Sequence, residues 1–196
     1  MSANRDSILA HLRESCRIKQ SFSDELLQGI ETFAVRSAEA LAKGGKIVFF
    51  GNGGSAADAQ HLAAELVVRL QAERASFAAL ALTTDTSVLT AAGNDLGFER
   101  IFERQIESLV HANDIVVALS TSGTSPNILR GLDAAGKRGA YRVGLTGETG
   151  GKLKGRVELL LNIPSTDSQH IQESHITVGH IACILIEQMR IGRSAS

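Results

Sequence analysis

The run KIVFFGNGGSAADAQHLAAEL, residues 46–66, decides the fold. It opens with a short β-type run from Lys46 to Phe50, breaks at Gly51-Asn52-Gly53-Gly54-Ser55, and continues as a helix from Ala56-Ala57-Asp58. Glycines let a chain turn sharply and approach a ligand closely, and the free N–H groups at a helix start attract anions. Further β-type runs recur at Ala78 to Leu82, Ile115 to Leu119, Tyr141 to Leu145 and Glu158 to Ile163, with helix-length segments between them. Nearly continuous apolar strands separated by helices are strands covered on both faces. The pattern therefore predicts an α/β fold, doubly wound, with a mainly five-stranded parallel sheet flanked by helices. Upstream, apolar residues at helical spacing predict an N-terminal helical pair over 4–20 and 24–43, with Ser23 capping the second and Gly44-Gly45 ending it. A closing helix is expected from about Ser168 to Arg190. Residues 1–196 read as one domain, in which 1–44 serve packing and oligomerisation and 45–196 form the α/β core.

Composition narrows the class of function. The chain has 196 residues, 43% apolar and 21% charged, with two prolines, which excludes disorder and collagen-like repeats. Apolar stretches such as Ile115 to Leu119 and Ile181 to Ile186 fall far short of the ~20 residues a bilayer requires. The N-terminus lacks the apolar segment of a signal peptide, so a cytoplasmic protein is expected. A net charge of −1 gives no electrostatic footprint for nucleic acid or an anionic membrane. Cys16 and Cys183 lie far apart without C-x-x-C spacing and read as buried, reduced thiols.

In an open parallel sheet the ligand sits beyond the carboxyl ends of the strands, so the loops after the strands carry the function. Gly51, Gly53 and Ala56 mimic a dinucleotide fingerprint, but the acidic residue after the second strand, Asp85, lies 29 residues beyond Ala56 rather than ~20. No Walker-type motif is present. The third strand ends in Ser120-Thr121-Ser122-Gly123-Thr124-Ser125, with Pro126 at a helix start. Hydroxyls with free helix N–H groups can surround a phosphate monoester without a basic side chain; the bland alternative is a Ser-rich loop with one cap. Gly93-Asn94-Asp95 is expected in a turn, where Asn94 and Asp95 either bind sugar hydroxyls or make an Asx turn.

On the helix after the glycine loop, His61 and Glu65 stand at i and i+4 and share a face. Such a pair can bind zinc, act as acid and base, or simply form a solvated contact. The closing helix places Gln172, Glu173, His175 and His180 in an apolar run, where polar groups need partners. His180, followed by Ile181-Ala182-Cys183-Ile184, is expected to lie deep. His11, His111 and His170 read as surface residues.

Together, GNGGSAADAQHLAAEL at 51–66, LTTD at 82–85, GND at 93–95, STSGTSPN at 120–127, LTGETGG at 145–151 and IQESHITVGHI at 171–181 resemble the sugar-isomerase (SIS) domain family, and within it the phosphoheptose isomerases. The resemblance covers almost the whole chain. It implies an aldose-ketose isomerase that converts sedoheptulose 7-phosphate to D-glycero-D-manno-heptose 7-phosphate, the first step towards ADP- or GDP-heptose for bacterial lipopolysaccharide core or surface glycans. It also implies a cytoplasmic homotetramer with active sites at subunit interfaces.

Carried onto matching positions, the resemblance gives Asn52, Gly53, Gly54 and Ser55 with Asn94 and Asp95 to the sugar. It gives Ser120, Thr121, Ser122 and Ser125 to the phosphate. His61, Glu65, Gln172 and His180 are the implied zinc ligands, with Gln172 also at the substrate and Glu65 and His180 the implied proton-transfer pair. Gln169 receives no role, since relatives vary there. Gln172 and His180 are separated by ~12 Å along a regular helix, so both reach one ion only if Gln172 precedes the regular turns or comes from another subunit. The competing readings are a non-catalytic SIS regulator that binds the replication initiator protein, whose members lack the Glu and His matched by Glu65 and His180, and an isomerase of another sugar phosphate.

Overall fold

The computed structural model describes residues 3–192, beginning with helices α1 (Ala3–Gln20) and α2 (Asp24–Ala42). Ser23 caps α2 by accepting from Leu26 N–H, as its position before Asp24 and Glu25 implies. Five strands follow, β1 (Ile47–Gly51), β2 (Ala79–Ala81), β3 (Ile115–Leu119), β4 (Tyr141–Thr146) and β5 (Leu159–Asn162). They are interleaved with α3 (Gly54–Val67), α4 (Thr86–Leu96), α5 (Ile101–Leu109) and α6 (Pro126–Lys137), and the chain closes in α7 (Ser168–Gly192). The sheet order is β2-β1-β3-β4-β5 and every pairing is parallel, so the expected five-stranded doubly wound sheet is present. Of these strands, β2 is shorter than its apolar run, because an edge strand is held by the single ladder to β1.

Strand residues alternate between two apolar layers. Ile47, Phe49, Val117 and Leu145 face α2, α3 and α7, packing with Phe33, Leu62 and Val178. Val48, Phe50, Val116 and Ala118 face α5 and α6, packing with Phe102, Ile106 and Leu132. No helix among the described residues is long and apolar enough to cross a membrane.

The chain reverses direction across the sheet between β1 and β3, whose last residues, Gly51 and Leu119, are register partners. The glycine loop and the hydroxyl loop therefore leave the sheet side by side at the switch point where such folds bind ligands. One expected turn is absent: Gly93, Asn94 and Asp95 lie within α4. That helix is started by Asp85, whose side chain accepts from Val88 N–H, and ends only at Gly97, whose φ of +90° no other residue adopts cheaply.

Candidate active site

At the switch point the hydroxyl loop closes a pocket of about 70 Å³ lined by Asn52, Ser55, Leu119, Ser120, Thr121, Ser122, Ser125 and Gln172. Ser125 is the N-cap of α6 and leaves its hydroxyl out of any capping bond, while Pro126 occupies the first turn. Gly123 sits at φ +63° with Gly150 and Gly151 packed against it, and a Cβ there would strike the Gly150 carbonyl at 2.6 Å. No basic side chain lines the pocket. Its chemistry is hydroxyl, amide and helix start, the set that receives a phosphate in a nearly neutral protein.

Asn127, buried behind this loop, was absent from the sequence-derived candidates. Its amide and that of Asn52 exchange reciprocal hydrogen bonds of 2.9 and 2.8 Å, which lock the glycine loop to the hydroxyl loop. The signal for it was its place in the first turn of α6, two residues after the Ser125 cap. Asn52 thus spends its amide holding the two loops together.

From this pocket α3 and α7 run side by side in the same direction. At one end, a Cβ on Gly54 would lie 2.7 Å from Gln172 Nε2; further along, one on Gly179 would intrude on Leu62. Gly179 is therefore what lets the two helices come this close. The consequence is at the next residues. His61 Nε2 lies 2.8 Å from His180 Nε2 and 3.1 Å from Glu65 Oε1, and one donor atom from each residue lies within 4.8 Å of the others. Glu65 is more enclosed than His61, with 17% of its side chain exposed against 49%.

Two imidazole nitrogens and one carboxylate oxygen, converging with one side open, are a donor set that fits zinc with a free coordination position. Without an ion, the two rings share a hydrogen bond that needs Nε2 protonated on one ring and bare on the other.

Behind the cluster, Arg74 and Glu187 form a buried pair at 2.8 Å. Arg74 also donates to the carbonyls of Glu65 and Leu66, and Glu187 accepts from the backbone N–H groups of Leu70, Gln71 and Ala72. Burial pushes the Glu187 carboxyl up, but those N–H groups and Arg74 outweigh it and hold it below the usual range. This pair anchors the end of α3 on α7. One turn before His61, Asp58 has a buried Oδ2 with no hydrogen-bond partner, and burial raises its carboxyl above the ordinary value while His61 draws it down.

Several expectations need correction. Gln172 lies inside the regular turns of α7, on the pocket, two turns before His180. Asn94 and Asp95 are exposed near the end of α4, where Asn94 donates to Asp95 at 2.7 Å, and neither lines the hydroxyl pocket. The deep histidine of α7 is His175, fully buried with Nε2 3.2 Å from the Thr146 carbonyl, whereas His180 opens to the site. His170 is buried, not at the surface. Of the cysteines Cys183 is buried, its thiol pushed up to about 12 by burial, and Cys16 is exposed because it lies on the outer side of α1. In each case helical periodicity gave the element, but the facing partner decided the burial.

A Gly-loop and hydroxyl-loop anion pocket at the switch point of a parallel sheet, with a His-Glu-His cluster about two turns further along the same two helices, defines a sugar-phosphate-handling α/β domain. The family model described as SIS domain matches residues 10–147. A phosphoheptose isomerase of Aquifex aeolicus is 50% identical over 93% of this chain and 95% of its own. The structure of a phosphoheptose isomerase from Neisseria gonorrhoeae superposes with a TM-score of 0.89 at 41% identity, covering 95% of this chain and all of that one. That of Francisella tularensis gives 0.91 at 33% identity with the same coverage. The chain belongs to the phosphoheptose isomerases of the SIS domain family.

Proposed function

We propose that this chain interconverts sedoheptulose 7-phosphate and D-glycero-D-manno-heptose 7-phosphate, an aldose-ketose isomerisation. The observation that carries this reading is the placement of Glu65 and His180 together, about two turns along the α3–α7 pair from the hydroxyl pocket. Ser55 and His61 are separated by roughly 9 Å along α3, and Gln172 and His180 by ~12 Å along α7. At about 1.2 Å per extended bond, seven carbons and a phosphoester cover roughly 10 Å, so a phosphate in the pocket puts the first two carbons near His61 and His180, where the Glu65 carboxylate also converges.

The isomerisation removes a weakly acidic proton beside the carbonyl, gives an enediol, and returns the proton to the neighbouring carbon. Glu65, partly enclosed and with Oε1 3.1 Å from His61 Nε2, is the base that moves the carbon proton. His180 exchanges protons with the two oxygens. Ser120, Thr121, Ser122 and Ser125, with the Asn52–Asn127 brace, hold the phosphate end and so fix the reacting carbons. Gly53, Gly54 and Ser55 bring backbone and hydroxyl to the sugar, and Gln172 joins them at the pocket mouth. One zinc ion per subunit fits His61, Glu65 and His180, while Gln172, the family's fourth ligand, lies two turns away on α7 and would have to come from a neighbouring subunit; when bound the ion supplies carbonyl polarisation.

A homotetramer with sites completed at subunit interfaces agrees with two features. Asn94 and Asp95 are exposed on α4, available to a neighbouring copy. Ile8, Leu12 and Leu27 present apolar side chains to solvent from α1 and α2. The chain's place is then the bacterial cytoplasm, at the start of ADP- or GDP-heptose synthesis for lipopolysaccharide core or surface glycans.

The test is a coupled assay with sedoheptulose 7-phosphate, with fructose 6-phosphate as control, alongside metal analysis. Turnover of the heptulose alone supports the reading. Turnover of neither by the folded oligomer favours a binding protein of the same fold, such as a regulator that binds the replication initiator protein. Preference for the hexose favours an isomerase of another sugar phosphate.

A further inference from the structure

Nearer the start of α7 than His180, a second group of donors converges between α1 and α7. His11 Nε2 of α1 lies 2.9 Å from Glu173 Oε1, and His170 Nδ1 lies 3.5 Å from Glu173 Oε2. The two imidazole rings meet at a tilt of 34° with centroids 4.4 Å apart, and one donor atom from each of the three residues lies within 4.8 Å of the others. His170 and Glu173 stand at i and i+3, so one helical face presents both, and the His11 ring meets them from the neighbouring helix. A histidine and a glutamate three apart on one helix, facing a further ligand from a second, are the arrangement by which helical bundles hold transition metals.

We propose that His11, His170 and Glu173 form a second metal site, selective for a borderline divalent ion such as zinc or cobalt, that fastens α1 to α7. Two imidazoles favour such ions over magnesium or calcium, which prefer oxygen. His170 is held in place by burial, with 9% of its side chain exposed, whereas His11 and Glu173 keep 42% and 36% exposed, so an ion enters from solvent with little rearrangement. Ser15 donates to Oε2 at 2.5 Å and Lys19 stands 3.6 Å from that same oxygen. These contacts occupy one carboxylate oxygen and leave Oε1, on the His11 side, for the ion. Glu173 adjoins Gln172, so the ion would also stiffen the turn of α7 that reaches the anion pocket.

The test is equilibrium dialysis of the full-length protein against zinc and against cobalt, comparing wild type, His11→Gln, Glu173→Gln and His61→Gln, with the cobalt absorption spectrum as second readout. The expected result is loss of about one equivalent of metal per chain in His11→Gln and in Glu173→Gln, with the ion at His61 retained. His61→Gln should remove a different equivalent and leave the one at His11. Circular dichroism establishes that each variant is folded, and zinc-dependent rise of the melting temperature should shrink in His11→Gln. Unchanged stoichiometry and cobalt spectrum in both His11→Gln and Glu173→Gln overturn the proposal. So does a stability loss in these variants that is the same with and without zinc, which is the behaviour of a hydrogen-bonded latch alone. Failure of the His61 site leaves this result readable, because the equivalent at His11 is counted separately.

Discussion

His175 makes the stability of this protein depend on pH in a window where its depressed carboxylates are silent. Burial holds the imidazole down to about 4, with the Thr146 carbonyl pulling weakly the other way. The ring donates from Nε2 to that carbonyl, leaving Nδ1 buried with no partner, so a second proton would place an unpaired N–H and a full charge in the core. The unfolded chain takes that proton near pH 6.5, so between 6.5 and 4 it binds more protons than the folded state. Stability from this group is therefore complete above pH 6.5 and is lost as pH falls towards 4. At ~1.4 kcal/mol for each pH unit separating the two values, the whole effect is about 3 kcal/mol, of which about 2 kcal/mol is gone by pH 5.

Urea unfolding followed by circular dichroism at pH 7.5 and 5.0, at one protein concentration, should show wild type losing about 2 kcal/mol more than His175→Gln. Glu158, Glu173 and Glu187, all held below 4.5, contribute only below that pH, and the raised carboxyl of Asp58 contributes alike in wild type and variant, so the difference between the two isolates His175. An equal loss in the variant, or an NMR midpoint for His175 above 6 in wild type, would refute the reasoning.

Gly179→Ala should push α3 away from α7 at Leu62, costing about 1–3 kcal/mol in thermal unfolding and lowering both turnover and metal retention at His61 and His180. Ser125→Ala removes a hydroxyl that makes no capping bond, so its melting temperature should hardly change while KM for the sugar phosphate rises roughly 10-fold or more. Glu187→Ala leaves Arg74 buried without its partner and should cost about 3–5 kcal/mol in chemical denaturation.

The parallel sheet was legible because each β-type run is apolar on both faces, and the anion pocket because glycines and hydroxyls follow the two strands that flank the switch point. His61 and Glu65 were legible as a face, since one helix sets their spacing. What escaped depends on partners from distant segments. Nothing local distinguishes His175, which meets the end of β4, from His180, which meets His61. His170 looked like a surface residue until α1 was laid across it. Asn127 sat in plain view beside the α6 cap, but its bond to Asn52 spans 75 positions. Asn94 and Asp95 carry turn-forming residue types, and the Asp85 cap together with α4's own turns overrode that tendency.

The most direct trial of the mechanism compares wild type with Glu65→Gln and His180→Gln for turnover of sedoheptulose 7-phosphate, with affinity for the same compound measured by calorimetry. If a carboxylate and an imidazole brought together across α3 and α7 move the protons, each variant keeps its fold and binds the ligand within a few-fold, yet its rate drops by roughly 10²–10⁴. Either variant turning over at near wild-type speed would contradict the account.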